Sequence, residues 1–139
     1  MKILGLDVGS RRIGVAVSDA LGITAQPAGV VRRGEGDEAI DEIGRIASEK
    51  GVTEIIVGLP LNMNATRGER ARDAAAFAGR LEERLGLPVK LWDERLSTAQ
   101  AERLMISADT SRGKRKRKID KLAAQIVLQS YLDCRGLPR

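Results

Sequence analysis

The feature that most constrains the fold is a pair of β-rich runs at the start of the chain, separated by only three residues. Residues 2–8 and 12–18 are rich in Ile, Leu and Val, and Gly9, Ser10 and Arg11 join them. A linker this short indicates a β-hairpin. The sheet is therefore predicted to begin with antiparallel strands.

A third strand and a first helix are predicted next. The strand covers about residues 28–33, after a break at Pro27, and apolar residues recur at helical spacing over 37–50. Gly51 is predicted to end this helix, because glycine readily adopts the left-handed conformation found at helix C-termini.

A strand, a helix and another strand follow. The β-rich run at 53–59 comes after a helix, as expected for a strand that enters the parallel part of a sheet. Thr66 and Glu69 form a predicted capping box for a helix that reaches about Leu85. Residues 89–92 are the predicted fifth strand.

The C-terminal third is predicted to be helical, with one interruption. Ser97 and Gln100 are suitable caps for a helix over 98–106. Residues 107–118 are polar, contain glycine and are strongly basic without apolar periodicity, which indicates a mobile loop. A last helix over 118–133 places most of its apolar residues on one side.

This order of elements predicts a single α/β domain over residues 1–139. An antiparallel start followed by helix–strand units implies a mixed five-stranded sheet, with the first three strands antiparallel and the later ones parallel, flanked by helices. Ribonuclease H-like folds have this arrangement. At 139 residues the chain is long enough for one core and too short for two lobes.

Composition narrows the chemistry that the chain can perform. The formal net charge of +5 favours an acidic partner such as nucleic acid. The chain contains no histidine. Histidine bases, histidine metal ligands and Ser-His or Cys-His triads are therefore excluded.

Cys134 is the only cysteine, so a reducing compartment without internal disulfides is expected. The N-terminal apolar run is too short for a signal peptide or a membrane span, and a cytoplasmic protein is expected.

Three carboxylates are candidate site residues. Asp7 lies inside the most apolar strand, where an unpaired charge is costly; acceptance of hydrogen bonds from the next turn is the competing interpretation. Glu94 or its neighbour Asp93 is predicted to face the carboxyl ends of the parallel strands. The competing interpretation is a solvated ion pair between Glu94 and Arg95 on a loop. Asp120 begins the last helix, where it would otherwise only complement the helix dipole.

Asp7, one of the neighbours Asp93 and Glu94, and Asp120 together predict a metal-dependent acidic cluster. Three converging carboxylates would repel one another unless they bound hard cations such as Mg²⁺ or Mn²⁺. A site with two such ions needs no histidine, because one ion activates the attacking water and the other stabilises the leaving oxygen of a phosphodiester displacement. The cluster therefore predicts a nuclease.

A strongly basic segment immediately precedes Asp120. Its positive charges are predicted to clamp phosphates of a nucleic acid beside the metal site. They are Arg112, Lys114, Arg115, Lys116, Arg117 and Lys118. A basic run in isolation is more often a solvated loop or a localisation signal, and the position next to Asp120 favours phosphate binding.

Four motifs resemble, in order and position, those of the YqgF/RuvX family. They are GLDVGSRRIGVAVSD at 5–19, VGLPLNM at 57–63, DERLST at 93–98 and DKLAA at 120–124. The resemblance implies a bacterial, ribonuclease H-like nuclease with Asp7, Glu94 and Asp120 as metal-binding catalytic residues. It also implies that Arg11 and Arg95 contact phosphates, and that Asn62 lines the site.

Two substrates are described for this family. One is the 5′ end of precursor 16S ribosomal RNA, processed in ribosome biogenesis, and the other is the Holliday junction of branched DNA. We expect the first, with junction resolution as the alternative; a monomer and a homodimer both remain open. The related RuvC resolvases take a carboxylate from their fourth strand, whereas residues 58–60 offer none, so Glu94 must substitute for it.

Two other functional classes fit parts of the sequence. Asp7, Val8 and Gly9, followed by a strand and Asp19, also resemble the first phosphate motif of actin-like ATPases and sugar kinases. Those enzymes need a second domain and a second phosphate motif. A non-catalytic RNA- or DNA-binding module is the third alternative, and metal-dependent cleavage distinguishes a nuclease from it.

Overall fold

The computed structural model of the protein describes residues 2–96 and 115–135, and their side chains except at 115–121. Within this part of the chain, five strands form one sheet and helices cover both of its faces. The strands are β1 (Lys2–Val8), β2 (Arg12–Ser18), β3 (Ala25–Arg32), β4 (Val52–Leu59) and β5 (Val89–Asp93). The helices are α1 (Glu38–Lys50), α2 (Glu69–Leu85) and α3 (Arg115–Arg135).

The sheet is mixed and has the strand order β3-β2-β1-β4-β5. β2 pairs antiparallel with both β1 and β3, whereas β4 pairs parallel with both β1 and β5. Gly9 closes the hairpin: its N–H donates to the carbonyl oxygen of Arg12 at 2.9 Å, and a Cβ would lie 2.7 Å from that oxygen. Gly51 ends α1 with a φ of 68°, as predicted. The predicted mixed sheet with an antiparallel start is confirmed.

The two faces of the sheet have separate cores. On the central strand β1, Leu4 and Leu6 face the core formed with α1 and α2, whereas Ile3 faces the core formed with α3. Because side chains alternate along a strand, Gly5 and Asp7 share the α3 face with Ile3. Asp7 therefore lies on the side of the sheet that α3 covers.

Helix α3 packs closely on β1 because a glycine lies beneath it. A Cβ at Gly5 would be 2.6 Å from the Cβ of Leu128 and 3.3 Å from the carbonyl oxygen of Ala124. Real side chains do not approach at the first of these distances, so only glycine permits this separation between helix and strand. The close approach brings the N-terminal half of α3 next to the sheet.

Two glutamines of α3 bind the main chain at the start of the edge strand β3. The buried Gln129 accepts a hydrogen bond from the N–H of Ala25 and donates one to the carbonyl oxygen of Ile23, both at 2.9 Å. Gln125 donates to the carbonyl oxygen of Ala25, also at 2.9 Å. Because these partners are backbone groups, the bonds hold α3 in one position along its own axis.

The third strand extends further towards the N-terminus than predicted. β3 begins at Ala25, so Pro27 lies within the strand and not in a break before it. Proline is tolerated here because β3 is an edge strand, and because the register of β2 shifts between Val15 and Ala16, opposite Pro27. The predicted start at residue 28 is therefore wrong.

The capping box predicted for α2 is also wrong. The N-cap is Gly68, which makes no side-chain capping hydrogen bond. The Thr66 hydroxyl instead donates to Oδ1 of Asn64 at 2.6 Å and accepts a hydrogen bond from Nδ2 of Asn62 at 3.0 Å. Thr66 therefore stabilises the loop before the helix, and Glu69 is the first helical residue.

The last helix begins earlier than predicted. Residues 115–118, predicted as the end of a mobile loop, form the first turn of α3. Lysine and arginine are good helix formers, so a basic run without glycine or proline can extend a helix. Asp120 consequently lies in the second turn and not the first. The predicted helix over 98–106 and the loop residues 107–114 lie outside the described residues.

Candidate active site

Asp7 and Glu94 meet at the carboxyl ends of the parallel strands. Glu94 directly follows β5, and its N–H donates to the carbonyl oxygen of Leu59 at the end of β4, at 3.1 Å. Trp92, two residues earlier, packs in the α3 core, which is the face that Asp7 shares. The side chains of Glu94 and Asp7 form a hydrogen bond. We call these two residues the carboxyl pair.

The surroundings of Glu94 raise its pKa to about 7. Burial is the largest cause; the charge of Asp7 and the hydrogen bond with Asp7 come next, and the charge of Asp93 adds to them. The charge of Arg70 acts in the opposite direction and lowers the pKa. A hydrogen bond between two carboxyl groups requires that one of them holds a proton. A cation at the same place would relieve the same repulsion.

A glycine in β4 leaves room for the Glu94 carboxyl group. A Cβ at Gly58 would lie 2.6 Å from Oε1 of Glu94 and 3.0 Å from Cγ2 of Val127 in α3. Glu94 therefore occupies a space between the sheet and α3 that a side chain at position 58 would fill. The carboxyl pair is thus enclosed by β4 on one side and by the helix on the other.

Helix α3 runs antiparallel to β4, so its N-terminal end lies at the edge that carries the carboxyl pair. The Tyr131 hydroxyl donates to Oε1 of Glu54, near the start of β4, at 3.1 Å. Val127, one turn earlier in the helix, lies against Gly58 near the end of that strand. Asp120 is about two turns further towards this edge. Its side chain lies outside the described residues.

Asp93 and Glu94 are neighbours with different partners. Asp93 accepts hydrogen bonds from Arg95, at 2.9 Å from the N–H and 2.7 Å from Nη2. This ion pair lowers the pKa of Asp93. Of the two adjacent carboxylates, Glu94 is the one that contacts Asp7, and Arg95 is exposed with its charge matched by Asp93.

Two other predicted site residues lie at the same edge. Arg11 is exposed in the β1–β2 turn. Asn62 is exposed in the loop after β4, where its N–H donates to the carbonyl oxygen of Thr66 at 2.9 Å. The hydrogen bonds of Asn62 stabilise its own loop and do not reach the carboxyl pair. Arg112, Lys114 and the side chains at 115–118 lie outside the part of the chain that the structure describes.

A cleft at the same edge of the sheet, on the face that α1 and α2 cover, contains residues that the sequence did not single out. It has a volume of about 540 Å³ and lies between the hairpin turn and the first two turns of α2. It is lined by Val8, Ser10, Arg33, Glu69, Arg70 and Asp73. Arg70 matters most because its charge acts on Glu94. The available sequence signal is its place in the helix that follows β4, at the strand ends where α/β sites gather.

Arg33 and Asp73 form one wall of the cleft. The guanidinium of Arg33 donates to both carboxylate oxygens of Asp73, at 2.6 and 2.8 Å, and to the carbonyl oxygen of Gly9 at 3.0 Å. It also lies 5.1 Å from the ring centroid of Phe77. The pair lowers the pKa of Asp73 and connects the hairpin turn to α2. Arg33 is therefore held in place and its charge is matched.

Two negative findings apply to the described residues only. Among them, no group of three or more aspartate, glutamate, cysteine or histidine side chains is placed to share one metal ion. The side chain of Asp120, the third predicted ligand, lies outside the described residues. Within the same residues, no helix combines the length and the apolar character that crossing a bilayer requires.

Comparison with known proteins identifies the family. The family described as "RuvX: Holliday junction resolvase" matches residues 1–134. The chain belongs to the RuvX family. Proteins named "Putative pre-16S rRNA nuclease" from Desulforamulus reducens and Oceanobacillus iheyensis are 51% and 53% identical to it, over 96% of this chain and 97% and 98% of theirs. The family predicted from the four motifs is confirmed.

Solved structures share the fold of this RuvX-family chain. Thermus thermophilus RuvC in complex with a Holliday junction substrate has a TM-score of 0.56 at 17% identity, covering 97% of this chain and 95% of that one. Fowlpox virus resolvase with Holliday junction DNA has a TM-score of 0.62 at 11% identity, covering 99% and 100%. At these identities the likeness shows the fold alone, and it confirms the predicted ribonuclease H-like architecture.

The raised pKa of Glu94 gives this RuvX-family chain a testable pH dependence. Without divalent ions, the folded protein holds the Glu94 proton more tightly than the unfolded chain, whose glutamate pKa is near 4.5. The contribution of Glu94 to stability is therefore greatest below that value and falls as the pH rises towards about 7, by up to about 3 kcal/mol. Glu94→Gln should remove this loss and be more stable than the wild type at pH 8. Urea denaturation in EDTA at pH 5 and pH 8 measures the difference.

Asp41→Asn in α1 is the matched control for this measurement. Arg84 lowers the pKa of Asp41, so its contribution to stability changes only at acidic pH. This variant should therefore have the same stability difference from the wild type at pH 5 and at pH 8. If the stability difference between Glu94→Gln and the wild type were also the same at pH 5 and at pH 8, the raised pKa of Glu94 would be contradicted.

Proposed function

We propose that this RuvX-family chain is a metal-dependent nuclease that hydrolyses phosphodiester bonds at the 5′ end of precursor 16S ribosomal RNA. The observation that carries the proposal is the carboxyl pair, in which two half-buried acidic side chains meet at the carboxyl edge of the sheet. Burial, and after it the interaction with Asp7, raises the pKa of Glu94, so the ionised pair is unfavourable without a cation. The names of relatives that are about half identical support the substrate.

The residues at the carboxyl pair suit Mg²⁺ or Mn²⁺. The donor atoms are carboxylate oxygens, which hard cations prefer, and the chain has no histidine and a single cysteine to offer a softer ion. Asp7 and Glu94 would hold the metal, and the position of Asp120 in α3 makes it the proposed third ligand. When bound, two such ions would activate a water molecule and stabilise the leaving oxygen.

Basic residues would hold the substrate backbone next to the carboxyl pair. Arg112 and Lys114 precede the helix that carries Asp120, the four basic residues at 115–118 form its first turn, and Arg11 is exposed in the hairpin turn. Each phosphate that they neutralise releases counterions, so substrate binding would weaken as the salt concentration rises. A ribosomal RNA precursor as substrate also implies that the protein works in the cytoplasm.

Resolution of four-way DNA junctions is the second candidate function. The description of the matching family as a Holliday junction resolvase favours it. A junction has twofold symmetry, so a resolvase needs two active sites related by the same symmetry, and hence a dimer. A nuclease that trims one RNA strand needs only one site.

Cleavage of both substrates side by side tests the proposal. The purified protein is incubated with precursor 16S RNA and with a four-way DNA junction, in Mg²⁺, Mn²⁺ or EDTA, and its solution mass is measured at the same concentration. We expect metal-dependent cleavage near the 5′ end of the RNA by a monomer, and no cleavage of the junction. Symmetric cleavage of the junction by a dimer would favour the second function. Binding without cleavage would make the chain a non-catalytic nucleic-acid-binding module.

A further inference from the structure

We propose that the cleft between the hairpin turn and α2 binds one nucleotide of the substrate strand, with a phosphate of that nucleotide on Arg70 beside the carboxyl pair. This inference rests on the proposed function, because it identifies where the strand lies once its cleaved bond is at the carboxyl pair. It makes Arg70 a substrate-binding residue of the site.

Arg70 is the cation of the cleft that is available to a ligand. Arg33, the other arginine, already donates to Asp73 and Gly9. Arg70 is exposed and makes no hydrogen bond or ion pair with any residue that the structure describes, yet its charge reaches Glu94. Its guanidinium N–H groups can therefore bind two phosphate oxygens at once, a geometry for which arginine is well suited.

The cleft lies across the carboxyl edge of the sheet from α3. Val8 lines the cleft and belongs to the core under α1 and α2, whereas the preceding residue, Asp7, faces α3. A strand that crosses this edge would pass from the basic first turn of α3 to the carboxyl pair and then to Arg70.

The size and the lining of the cleft suit a nucleotide. Its volume of about 540 Å³ lies within the range of small-ligand sites, roughly 300–1,000 Å³. The Ser10 hydroxyl and the Glu69 carboxylate can accept hydrogen bonds from sugar hydroxyls or base amino groups. Because Arg33 and Asp73 match each other, Arg70 and Glu69 are the remaining charges. The cleft thus offers one arginine for a phosphate and two hydrogen-bond acceptors for the attached sugar or base, which favours a nucleotide over a free inorganic anion.

Binding of precursor RNA in EDTA, where no metal-dependent cleavage occurs, tests the role of Arg70. Arg70→Gln should weaken binding about 10- to 100-fold, because charge-assisted hydrogen bonds to a phosphate are lost. The slope of log Kd against log salt should fall by about 0.7, the value for one phosphate on a single strand. Arg70→Lys should restore the slope but not the full affinity, since lysine keeps the charge and loses the planar fork.

Arg72→Gln is the matched control. Arg72 lies in the same helix and is exposed, and it donates to the carbonyl oxygen of Arg67 at 3.1 Å. It does not line the cleft. The substitution changes the net charge by the same amount and should leave both the affinity and the salt slope unchanged. Equal effects of Arg70→Gln and Arg72→Gln would show that only the overall charge matters, and would overturn the proposal.

Single uncharged methylphosphonate linkages then locate the phosphate. At the position that contacts Arg70, the methylphosphonate linkage should weaken RNA binding by the wild type as much as Arg70→Gln does. Combining the linkage with Arg70→Gln should weaken binding no further than either change alone, because both remove the same contact. Additive losses at every position would overturn the proposal. Because the readout is binding, a wild-type protein that binds RNA through Arg70 but never cuts it would refute the nuclease and leave the nucleotide site intact.

Discussion

Asp7→Asn is expected to reduce metal-dependent RNA cleavage by on the order of 10³-fold or more. Asparagine has nearly the shape of aspartate but carries no charge, so the carboxyl pair would lose half of the negative charge that attracts a hard cation. Asp120→Asn should have an effect of the same order. Single-turnover cleavage in Mn²⁺, with protein in excess over RNA, measures the rate.

The Asp7→Asn variant should nevertheless be folded, and more stable than the wild type in EDTA at pH 8. Asp7 raises the pKa of Glu94 through its charge and through their hydrogen bond, so the ionised pair is repulsive. Removing one of the two charges relieves that repulsion. A loss of activity together with a gain in stability is typical of functional residues, and it cannot result from unfolding.

Asp41→Asn is again the matched control, because Asp41 pairs with Arg84 at the far end of α2. It should keep the cleavage rate of the wild type. Undiminished cleavage by a folded Asp7→Asn or Asp120→Asn variant would remove that residue from the site.

Gly5→Ala is expected to destabilise the protein by about 1–3 kcal/mol. The new Cβ would lie 2.6 Å from the Cβ of Leu128 and 3.3 Å from the carbonyl oxygen of Ala124. Both of these atoms are fixed to the α3 backbone, so the helix must move away from β1 as a unit. Because α3 carries Asp120, cleavage should fall together with stability. Equilibrium denaturation and a cleavage assay on the same preparation measure the two effects.

Gly79→Ala provides the comparison for Gly5→Ala. Gly79 lies within α2, and a Cβ there would have no neighbouring atom within 4 Å. The same chemical change should therefore be neutral or stabilising, by up to about 1 kcal/mol. Leu128→Ala should not rescue Gly5→Ala, because alanine keeps the Cβ that clashes. Rescue by that second substitution would contradict the packing described between β1 and α3.

The sheet and its acidic residues are the features that the sequence predicts best. Runs of Ile, Leu and Val mark the strands, and Asp7 is visible because a carboxylate interrupts the most apolar of them. Its meeting with Glu94 depends on β4 lying between β1 and β5. Periodicity does not specify that strand order, and the resemblance of the motifs to a known family was needed to predict which carboxylates converge.

The parts that could not be predicted have physical reasons. Pro27 marks a break in most strands, and its place on an edge strand is apparent only from the sheet order. Residues 115–118 are polar on every side, so no apolar periodicity distinguishes a helical turn from a loop. In the sequence, Arg70 resembles the other solvated charges of α2. Its place in a cleft is apparent only from the fold, because Ser10 on the other side of the cleft belongs to a hairpin turn far away in the sequence.

The two glutamines that bind α3 to the start of β3 restrict how the length of this chain can change in evolution. Asp120 precedes Gln129 by nine residues, about two and a half helical turns. An insertion or deletion of one residue between them would rotate Asp120 by about 100° and shift it by about 1.5 Å along the axis. The segment 121–128 therefore has a fixed length, whereas the turn at 86–88, at the opposite end of the sheet, can accept extra residues without moving the acidic side chains.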